Sequence, residues 1–138
     1  MRVFFDTNVY VAEALSGDVA QRMLVATSKA GWRIAISPYV LDEIERVLGI
    51  QLGFSRRLAF LSRRRARRRA ILVEPSSSRH QVPGDPGDSP VLQAAIFAGA
   101  DFLVTNDAVL LALSPYEGLK VISMSDYYRL LIDRRLLA

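Results

Sequence analysis

A short apolar segment near the start of the sequence stops abruptly at an acid, and it strongly limits the fold. Val3, Phe4 and Phe5 form the segment, and Asp6 follows it. Valine and phenylalanine favour strands, and since no polar residue alternates with them, both faces of the strand should be buried. A strand buried on both faces is typical of the centre of a parallel sheet. Asp6 would then lie at the carboxyl end of that strand, where open α/β sheets bind ligands.

Strand-like and helix-like segments alternate along the whole sequence. Such alternation predicts an α/β fold in three layers, with a five-stranded parallel sheet flanked by helices on both faces. The predicted strands are residues 3–5, 33–37, 71–73, 102–105 and 120–123. The predicted helices are residues 9–31 with a break near 17–18, then 38 to Gly49 or Gly53, 54–70, 90–99, 107–113, and 126 onward. A loop rich in Ser, Pro and Gly covers residues 76–89.

Length and composition favour a single intracellular domain. The sequence has 138 residues, of which 51% are hydrophobic, so we expect one domain spanning residues 1–138. It has no cysteine, which excludes disulfides and thiolate metal sites and favours a cytoplasmic location. No secretory signal is visible, and no apolar stretch approaches the ~20 residues that a membrane helix needs. The net charge of +4 suggests an anionic partner.

Four acids occupy junctions that a parallel sheet brings to its carboxyl edge. Asp6 follows the first strand, and Glu43 lies early in the helix after the second strand. Asp88 precedes the helix that leads to the fourth strand, and Asp107 lies just past that strand. Carboxylates gathered at one edge repel one another unless they share a cation. Oxygen-only ligands favour hard ions, so the expected cation is Mg²⁺ or Mn²⁺.

Each of these acids also has a purely structural interpretation. The three aspartates stand where a residue could cap the N-terminus of the following helix. Glu43 is the most informative of the three acids of its helix, because it shares an apolar stripe and should be partly buried without a local partner. Glu45, which borders Leu41 and Leu48, is the alternative. Asp42, the neighbour of Glu43, should instead pair with Arg46 on a solvated face.

Four stretches of the sequence form an ordered set of motifs: DTNV (6–9), SPYVLDEI (37–44), DPGDSPVLQAA (85–95) and ADFLVTND (100–107). In this order they resemble the motifs of PIN domains, and nearly the whole chain is covered. The resemblance is closest to the VapC-like toxins of bacterial toxin–antitoxin pairs. In the third stretch, Asp88 fits the motif better than Asp85, because of its offset to Val91 and Ala95.

The resemblance implies a Mg²⁺- or Mn²⁺-dependent ribonuclease, often a homodimer, whose substrate is RNA. As a toxin, the protein would have an antitoxin partner, which we expect to bind through an acidic segment. The resemblance also implies which residues form the catalytic and metal-binding cluster, and which two polar residues lie beside it. The cluster is Asp6, Glu43, Asp88 and Asp107, the polar residues are Asn8 and Thr105, and Asp85 is the alternative third acid.

The chemistry of RNA hydrolysis fits these residues independently of the resemblance. Cleaving a phosphodiester needs a deprotonated water, an in-line approach and charge relief on the leaving oxygen. Divalent ions held by carboxylates supply all three. The one histidine, His80, stands in the loop rich in Ser and Pro, so a histidine general base is not expected.

The segment from Arg56 to Arg69 has eight arginines in fourteen positions and is not part of the PIN pattern. Phe54, Leu58 and Leu61 should dock this helix on the core. Its charge has three interpretations: a solvated face, contact with RNA phosphates and bases, or docking of an acidic antitoxin segment. The candidate contact residues are Arg63, Arg64, Arg65, Arg67, Arg68 and Arg69.

Two other classes of function compete with the nuclease. An aspartyl phosphotransferase could use Asp6 as its nucleophile, but that class usually has a second acid two residues on, where Asn8 stands here. A non-catalytic RNA-binding or scaffold protein could share the fold, although the complete set of acids argues against it.

Overall fold

A computed structural model describes residues 1–75 and 89–137 of the chain. Within these ranges it has five strands, seven α-helices and one π-helical turn. The strands are β1 (Arg2–Phe5), β2 (Arg33–Ile36), β3 (Ile71–Leu72), β4 (Phe102–Val104) and β5 (Lys120–Ile122). The helices are α1 (Thr7–Leu15), α2 (Asp18–Lys29), α3 (Pro38–Arg46), α4 (Arg56–Arg68), α5 (Pro90–Phe97), α6 (Ala108–Leu111) and α7 (Met124–Asp133), and the π-helical turn Val47–Gln51 extends α3. None of the helices in the two ranges is long and apolar enough to cross a membrane.

The strands form one parallel sheet in the order β3-β2-β1-β4-β5, which confirms the predicted sheet. The central strand, β1, pairs with β2 on one side and with β4 on the other. The chain runs outward from β1 to β2 and β3, and then crosses back to β4 on the opposite side of β1. The direction of winding therefore reverses between β1 and β4. At such a switch point, the loops beyond the strand ends leave a crevice that binds ligands.

Both faces of the sheet are covered. Successive side chains of a strand point to opposite faces, and Val3, Phe4 and Phe5 of β1 are all fully buried. The three residues of β4 are buried as well. On one face, the Phe5 ring makes edge contacts with Tyr10 of α1 and Tyr127 of α7. Helices therefore flank the sheet on both faces, as the alternating sequence pattern predicted.

Local sequence signals set several helix ends. The Ser37 hydroxyl accepts a hydrogen bond from the backbone N–H of Val40 (3.3 Å) and so caps α3. Gly31, at φ +78°, ends α2 as predicted, in a backbone conformation that favours glycine. The Ser123 hydroxyl caps α7 by accepting from the N–H of Asp126 (3.1 Å). Because of this cap, α7 begins two residues before the predicted start at Asp126.

The arginine-rich helix α4 docks only in part as predicted, since Phe54 before it packs against the core. Leu58 and Leu61 do not anchor it, because their side chains are 52% and 40% exposed. The buried residues of α4 are Ala59 and Ala66, seven positions apart and so on one face of the helix. A Cβ built on Gly49 would lie 4.0 Å from the Cβ of Ala59. Small residues on both sides therefore let α4 approach the end of α3 closely.

Ion pairs fix α4 to its neighbours. Glu13 of α1 is buried and accepts two hydrogen bonds from the Arg69 guanidinium, at 2.8 and 2.5 Å. Arg63 reaches α3, where it lies 2.6 Å from Asp42 and 3.1 Å from Glu45. Removing one partner of a buried ion pair typically costs about 3–5 kcal/mol, because the other charge stays buried and unpaired. The Glu13–Arg69 pair therefore holds α4 against α1.

Candidate active site

A cleft of about 460 Å³ opens at the carboxyl ends of β1 and β4, at the switch point of the sheet. Three of the predicted acids, Asp6, Glu43 and Asp107, line it. Asn8 adds a polar side chain, and aliphatic residues of α1 and of the π-helical turn form an apolar part of the wall. The fold thus brings acids that are far apart in sequence to one concave surface.

Asp6 is held on both of its carboxylate oxygens. Oδ1 accepts from the backbone N–H of Thr7 (2.7 Å), and Oδ2 accepts from the hydroxyl of Thr105 (2.7 Å). The structural interpretation of Asp6 as the N-cap of α1 is therefore correct. It does not compete with a ligand role, because each oxygen of an ionised carboxylate has a second acceptor site.

The pKa of the Asp6 carboxyl is raised above its usual value near 3.8. Burial is the main cause, since it disfavours the charged form, and the negative charges of Asp107 and Glu43 add to it. The hydrogen bonds from Thr105 and Thr7 act in the opposite direction. Asp6 thus lies in a site where negative charge is unfavourable unless a cation is present.

The buried Thr105 hydroxyl joins the polar residues of the site. It donates to Asp6, and it accepts from the backbone N–H of Asp107 (3.0 Å) and from the Asn8 side-chain amide (3.4 Å). One donor and two acceptor sites are all that a hydroxyl has. The Asn8 Oδ1 atom is buried and has no hydrogen-bond partner among the described residues. The structure therefore leaves one amide oxygen at this site unsatisfied by the protein it describes.

Asp107 is exposed and caps α6, because its Oδ1 accepts from the backbone N–H of Val109 (2.9 Å). The capping interpretation is thus correct for Asp107 too. Its other oxygen makes no hydrogen bond to a residue within the described ranges.

Glu43 corrects one expectation. It is partly buried in the cleft wall, as predicted, but it does have a local partner: both of its oxygens accept from Arg46, at 2.8 and 2.9 Å. This hydrogen-bonded pair lowers the pKa of the Glu43 carboxyl. The predicted pairing of Asp42 with Arg46 is wrong, because Asp42 pairs with Arg63 instead. Arg46 bonds Glu43, which lies one turn earlier in α3 and faces the cleft. Arg63 of α4 is the partner of Asp42.

Asp85, Asp88 and His80 lie outside the described residues. One neighbouring contact bears on the capping interpretation of Asp88. The N-cap of α5 is Ser89, whose hydroxyl accepts from the backbone N–H of Leu92 (3.3 Å). The cap position next to Asp88 is therefore filled by another residue.

The oxygen donors of the cleft suit a hard divalent cation. The carboxylates of Asp6 and Asp107 and the unpartnered Oδ1 of Asn8 are the kind of ligand that Mg²⁺ and Mn²⁺ take. Within residues 1–75 and 89–137, however, no three acids stand close enough together to hold a metal by themselves. Mg²⁺ usually keeps several waters and takes only one or two carboxylates, so the donor set still fits.

The predicted arginine contacts fall into two groups. Arg63 and Arg69 are engaged by acids of the chain itself, and Arg65 lies 3.8 Å from Glu13. Arg64 and Arg68 are exposed and form no ion pair with any residue in the described part of the chain. Two of the six predicted arginines, Arg64 and Arg68, are therefore available to an external anion. Arg63 and Arg69 instead stabilise the fold. Arg67 is exposed and donates to the carbonyl of Ala70 (3.2 Å).

Sequence reasoning missed two features. The apolar stripe that Glu43 shares includes Tyr39, yet Tyr39 is 44% exposed in the cleft wall. Its position one turn before Glu43 was the available signal. The buried Glu13 had no such signal, because its partner Arg69 lies 56 residues away.

An open parallel sheet with an acidic cleft at its switch point defines an α/β protein whose ligand site lies at the carboxyl edge. The family model that matches is that of the PIN domain, over residues 2–108. The chain belongs to the PIN domain family, which confirms the resemblance read from its motifs, and this membership supports a nuclease of the hydrolase class.

Among solved structures, the chain is similar to one chain of the crystal structure of VapBC2 from Rickettsia felis bound to a DNA fragment from their promoter. The TM-score is 0.61 at 18% identity, and the match covers 89% of this chain and 98% of the other. At this identity the likeness establishes the shared fold. No curated protein matches the sequence.

The raised pKa of Asp6 predicts a pH dependence of stability in chelator. Folding raises the pKa of this carboxyl, so its protonated form stabilises the folded state. This contribution is complete at pH values below the pKa in the unfolded state, and it is lost as the pH rises through the pKa in the folded state. The side chain introduced by Asp6→Asn cannot ionise, so the variant should not lose stability in this way. The melting temperature of the variant minus that of the parent should therefore increase between about pH 3.5 and about pH 7.

Taking this difference removes the pH-independent effect of changing the hydrogen bonds to Thr105 and Thr7. Thermal melts of both proteins across the pH range are the measurement. A difference that stays constant, or decreases with pH, would show that burial and the neighbouring charges do not disfavour the Asp6 carboxylate.

Proposed function

We propose that residues 1–138 form a single-domain endoribonuclease that hydrolyses RNA phosphodiester bonds with Mg²⁺ or Mn²⁺. One observation carries the proposal. The buried Thr105 hydroxyl positions both the Asp6 carboxylate and the backbone of Asp107 at the switch point, beside the unpartnered oxygen of Asn8. Membership in the PIN domain family supports the hydrolase class.

Asp6, Asp107 and Asn8 would hold the cation, together with Asp88 as the preferred acid from the third motif and Asp85 as its alternative. When bound, the ion supplies an activated water and charge relief on the phosphodiester. Thr105 keeps the Asp6 carboxylate oriented, so that its oxygens do not have to be ordered when the cation binds.

Glu43 has a different part in this proposal. Arg46 holds the Glu43 carboxylate ionised at the rim of the cleft, where it adds negative charge near Asp6. Glu43 would bind the ion directly only by giving up one of its two bonds to Arg46, or through a water.

The proposed biological role is that of a VapC-like toxin. VapBC2, whose structure shares this fold, is a two-component complex. We infer an antitoxin partner with an acidic segment, a homodimer of the toxin, and a cytoplasmic location, the last supported by the absence of cysteine. A non-catalytic RNA-binding or scaffold protein is the alternative, and cleavage by the purified protein distinguishes it from the nuclease.

Substitution of the acids tests the nuclease. Asp6→Asn and Asp88→Asn should each lower RNA cleavage by orders of magnitude, because each removes a charged oxygen ligand of the cation. Asp85→Asn should keep most activity. The matched control is Asp133→Asn, an exposed acid at the end of α7. The measurement is cleavage of single-stranded RNA at saturating Mn²⁺, with chelator as the blank.

Parent-level cleavage by a folded Asp6→Asn protein would contradict the site. Loss of activity in Asp85→Asn but not in Asp88→Asn would reverse the choice of the third acid. Absence of metal-dependent cleavage in the parent itself would favour the scaffold alternative.

The two groups of arginines predict different results on substitution. Arg64→Gln with Arg68→Gln should flatten the dependence of log affinity on log salt, by roughly 0.7 for each RNA phosphate that an arginine no longer neutralises. Stability should not change, because both side chains are exposed and unpaired within the described structure. Arg69→Met should instead lower stability by about 3–5 kcal/mol, because Glu13 stays buried and loses the guanidinium that bonds both of its oxygens.

RNA binding in chelator at several salt concentrations, with denaturant melts of the same proteins, measures both effects. An unchanged salt slope in the Arg64/Arg68 double variant would assign these arginines to an antitoxin or to solvent. Unchanged stability in Arg69→Met would show that the buried pair does not fix α4.

A further inference from the structure

We propose that Arg46 is an internal counter-ion that competes with the divalent cation for Glu43, and so sets the metal concentration at which the cleft is filled. The inference rests on the proposed metal-dependent function and adds a means of regulating its site. It makes Arg46 a positioning residue, which acts through Glu43 and touches neither the cation nor the RNA.

The hydrogen-bond donors to Asp6 and to Glu43 differ in charge. Asp6 accepts from the neutral backbone N–H of Thr7 and the neutral hydroxyl of Thr105, so its negative charge remains available to a cation. Glu43 accepts from the Arg46 guanidinium, whose Nε lies 2.8 Å from Oε1 and whose Nη2 lies 2.9 Å from Oε2. A full positive charge at both oxygens offsets the charge of the carboxylate, and it would repel a divalent ion on the same group. The ion pair and the metal ion are therefore alternatives at Glu43.

The two members of the pair line different concave surfaces. Glu43 lines the acidic cleft, whereas Arg46 lines a groove of about 490 Å³ between α3 and α4. The side chain of Glu43 is 23% exposed and that of Arg46 is 46% exposed. The guanidinium can therefore leave the carboxylate toward solvent and the groove without unpacking the core.

A second acid is within reach of Arg46 on its own helix. Asp42 lies four residues before Arg46, and side chains at this spacing are neighbours on a helix surface. Asp42 bonds Arg63 at 2.6 Å, and Arg63 also lies 3.1 Å from Glu45. Arg63 therefore keeps a partner if Asp42 turns to Arg46. The exchange leaves no charge of this group unpaired when a cation takes Glu43.

The pair has opposite effects on the cleft with and without an ion. Without an ion, Arg46 offsets the charge of Glu43 and reduces the repulsion among the acids of the cleft. To bind Glu43, an ion has to displace the guanidinium. The apparent affinity for the ion is reduced by the fraction of molecules in which Glu43 is free. Arg46 therefore raises the metal concentration that the cleft requires.

Calorimetric titration with Mn²⁺, in the absence of RNA, tests the competition. Arg46→Met should tighten Mn²⁺ binding about 2- to 5-fold, the equilibrium equivalent of an exposed ion pair. Glu43→Gln should weaken binding, and Arg46→Met added to Glu43→Gln should have little further effect. The matched control is Arg129→Met, which breaks the exposed pair of Arg129 with Asp126, also three residues apart and outside the cleft. It should bind Mn²⁺ like the parent.

The guanidinium itself provides a second measurement. The Nε–H of Arg46 donates to Glu43, so its NMR signal should shift as diamagnetic Mg²⁺ is added. The midpoint of the shift should match the dissociation constant for Mg²⁺ from calorimetry. The Nε–H signal of Arg129 should not move over the same titration.

Weaker Mn²⁺ binding in Arg46→Met would overturn the inference, because Arg46 would then orient Glu43 for the ion. An equal effect of Arg46→Met with and without Glu43→Gln would also overturn it, since the arginine would then act only through its long-range charge. An Arg46 signal that does not move, or the absence of Mn²⁺ binding in parent and Arg46→Met alike, would contradict the competition as well.

The outcome is separable from that of the ribonuclease proposal. Competition between Arg46 and Mn²⁺ in a protein that does not cleave RNA would uphold the counter-ion role and reject the ribonuclease. Parent-like Mn²⁺ affinity of Arg46→Met in a protein that does cleave RNA would reject the counter-ion role alone.

Discussion

The arrangement of the site depends on one hydroxyl. Thr105 follows the strand next to the central one, and its side chain reaches Asp6 at the end of the central strand. The same oxygen accepts from Asp107 and from Asn8, so its hydrogen-bonding capacity is filled. Two loops of a parallel sheet are thereby tied together at the place where the fold opens a crevice. An isolated carboxylate at a strand end would be mobile and solvated. The Asp6 carboxylate is instead buried and held by hydrogen bonds, and its pKa is raised.

This arrangement is unfavourable without a counterion. Burial and two neighbouring carboxylates raise the pKa of Asp6, and Asn8 keeps an oxygen without a partner in the described structure. The surrounding scaffold withstands this local cost because the sheet is buried on both faces and α4 is fixed to α1 and α3 by ion pairs. Structural stability and the acidic edge therefore come from different parts of the chain. Arg69 contributes to stability through its pair with Glu13, whereas Arg64 and Arg68 are exposed.

Much of the fold followed from local sequence patterns. Short apolar segments predicted all five strands to within one residue at their ends. In the inner strands β1 and β4, burial on both faces removes the need for polar alternation. The positions of the acids along the chain predicted that Asp6, Glu43 and Asp107 line one cleft, whereas Asp88 lies outside the described residues. Competition between partners could not be predicted: Arg46 bonds Glu43, and Asp42 bonds Arg63 from another helix. Likewise, Ala59 and not Leu58 is buried, because close helix packing selects small side chains here.

We propose that the carboxyl edge between β1 and β4 holds a divalent cation. Anomalous scattering from crystals of the parent protein soaked in Mn²⁺ tests it directly, because the signal locates the ion independently of any activity. We expect an anomalous peak in the cleft, within coordination distance of the Asp6 carboxylate and bounded by Asp107 and Asn8. Crystals that contain Mn²⁺ at other positions but none in this cleft would contradict it.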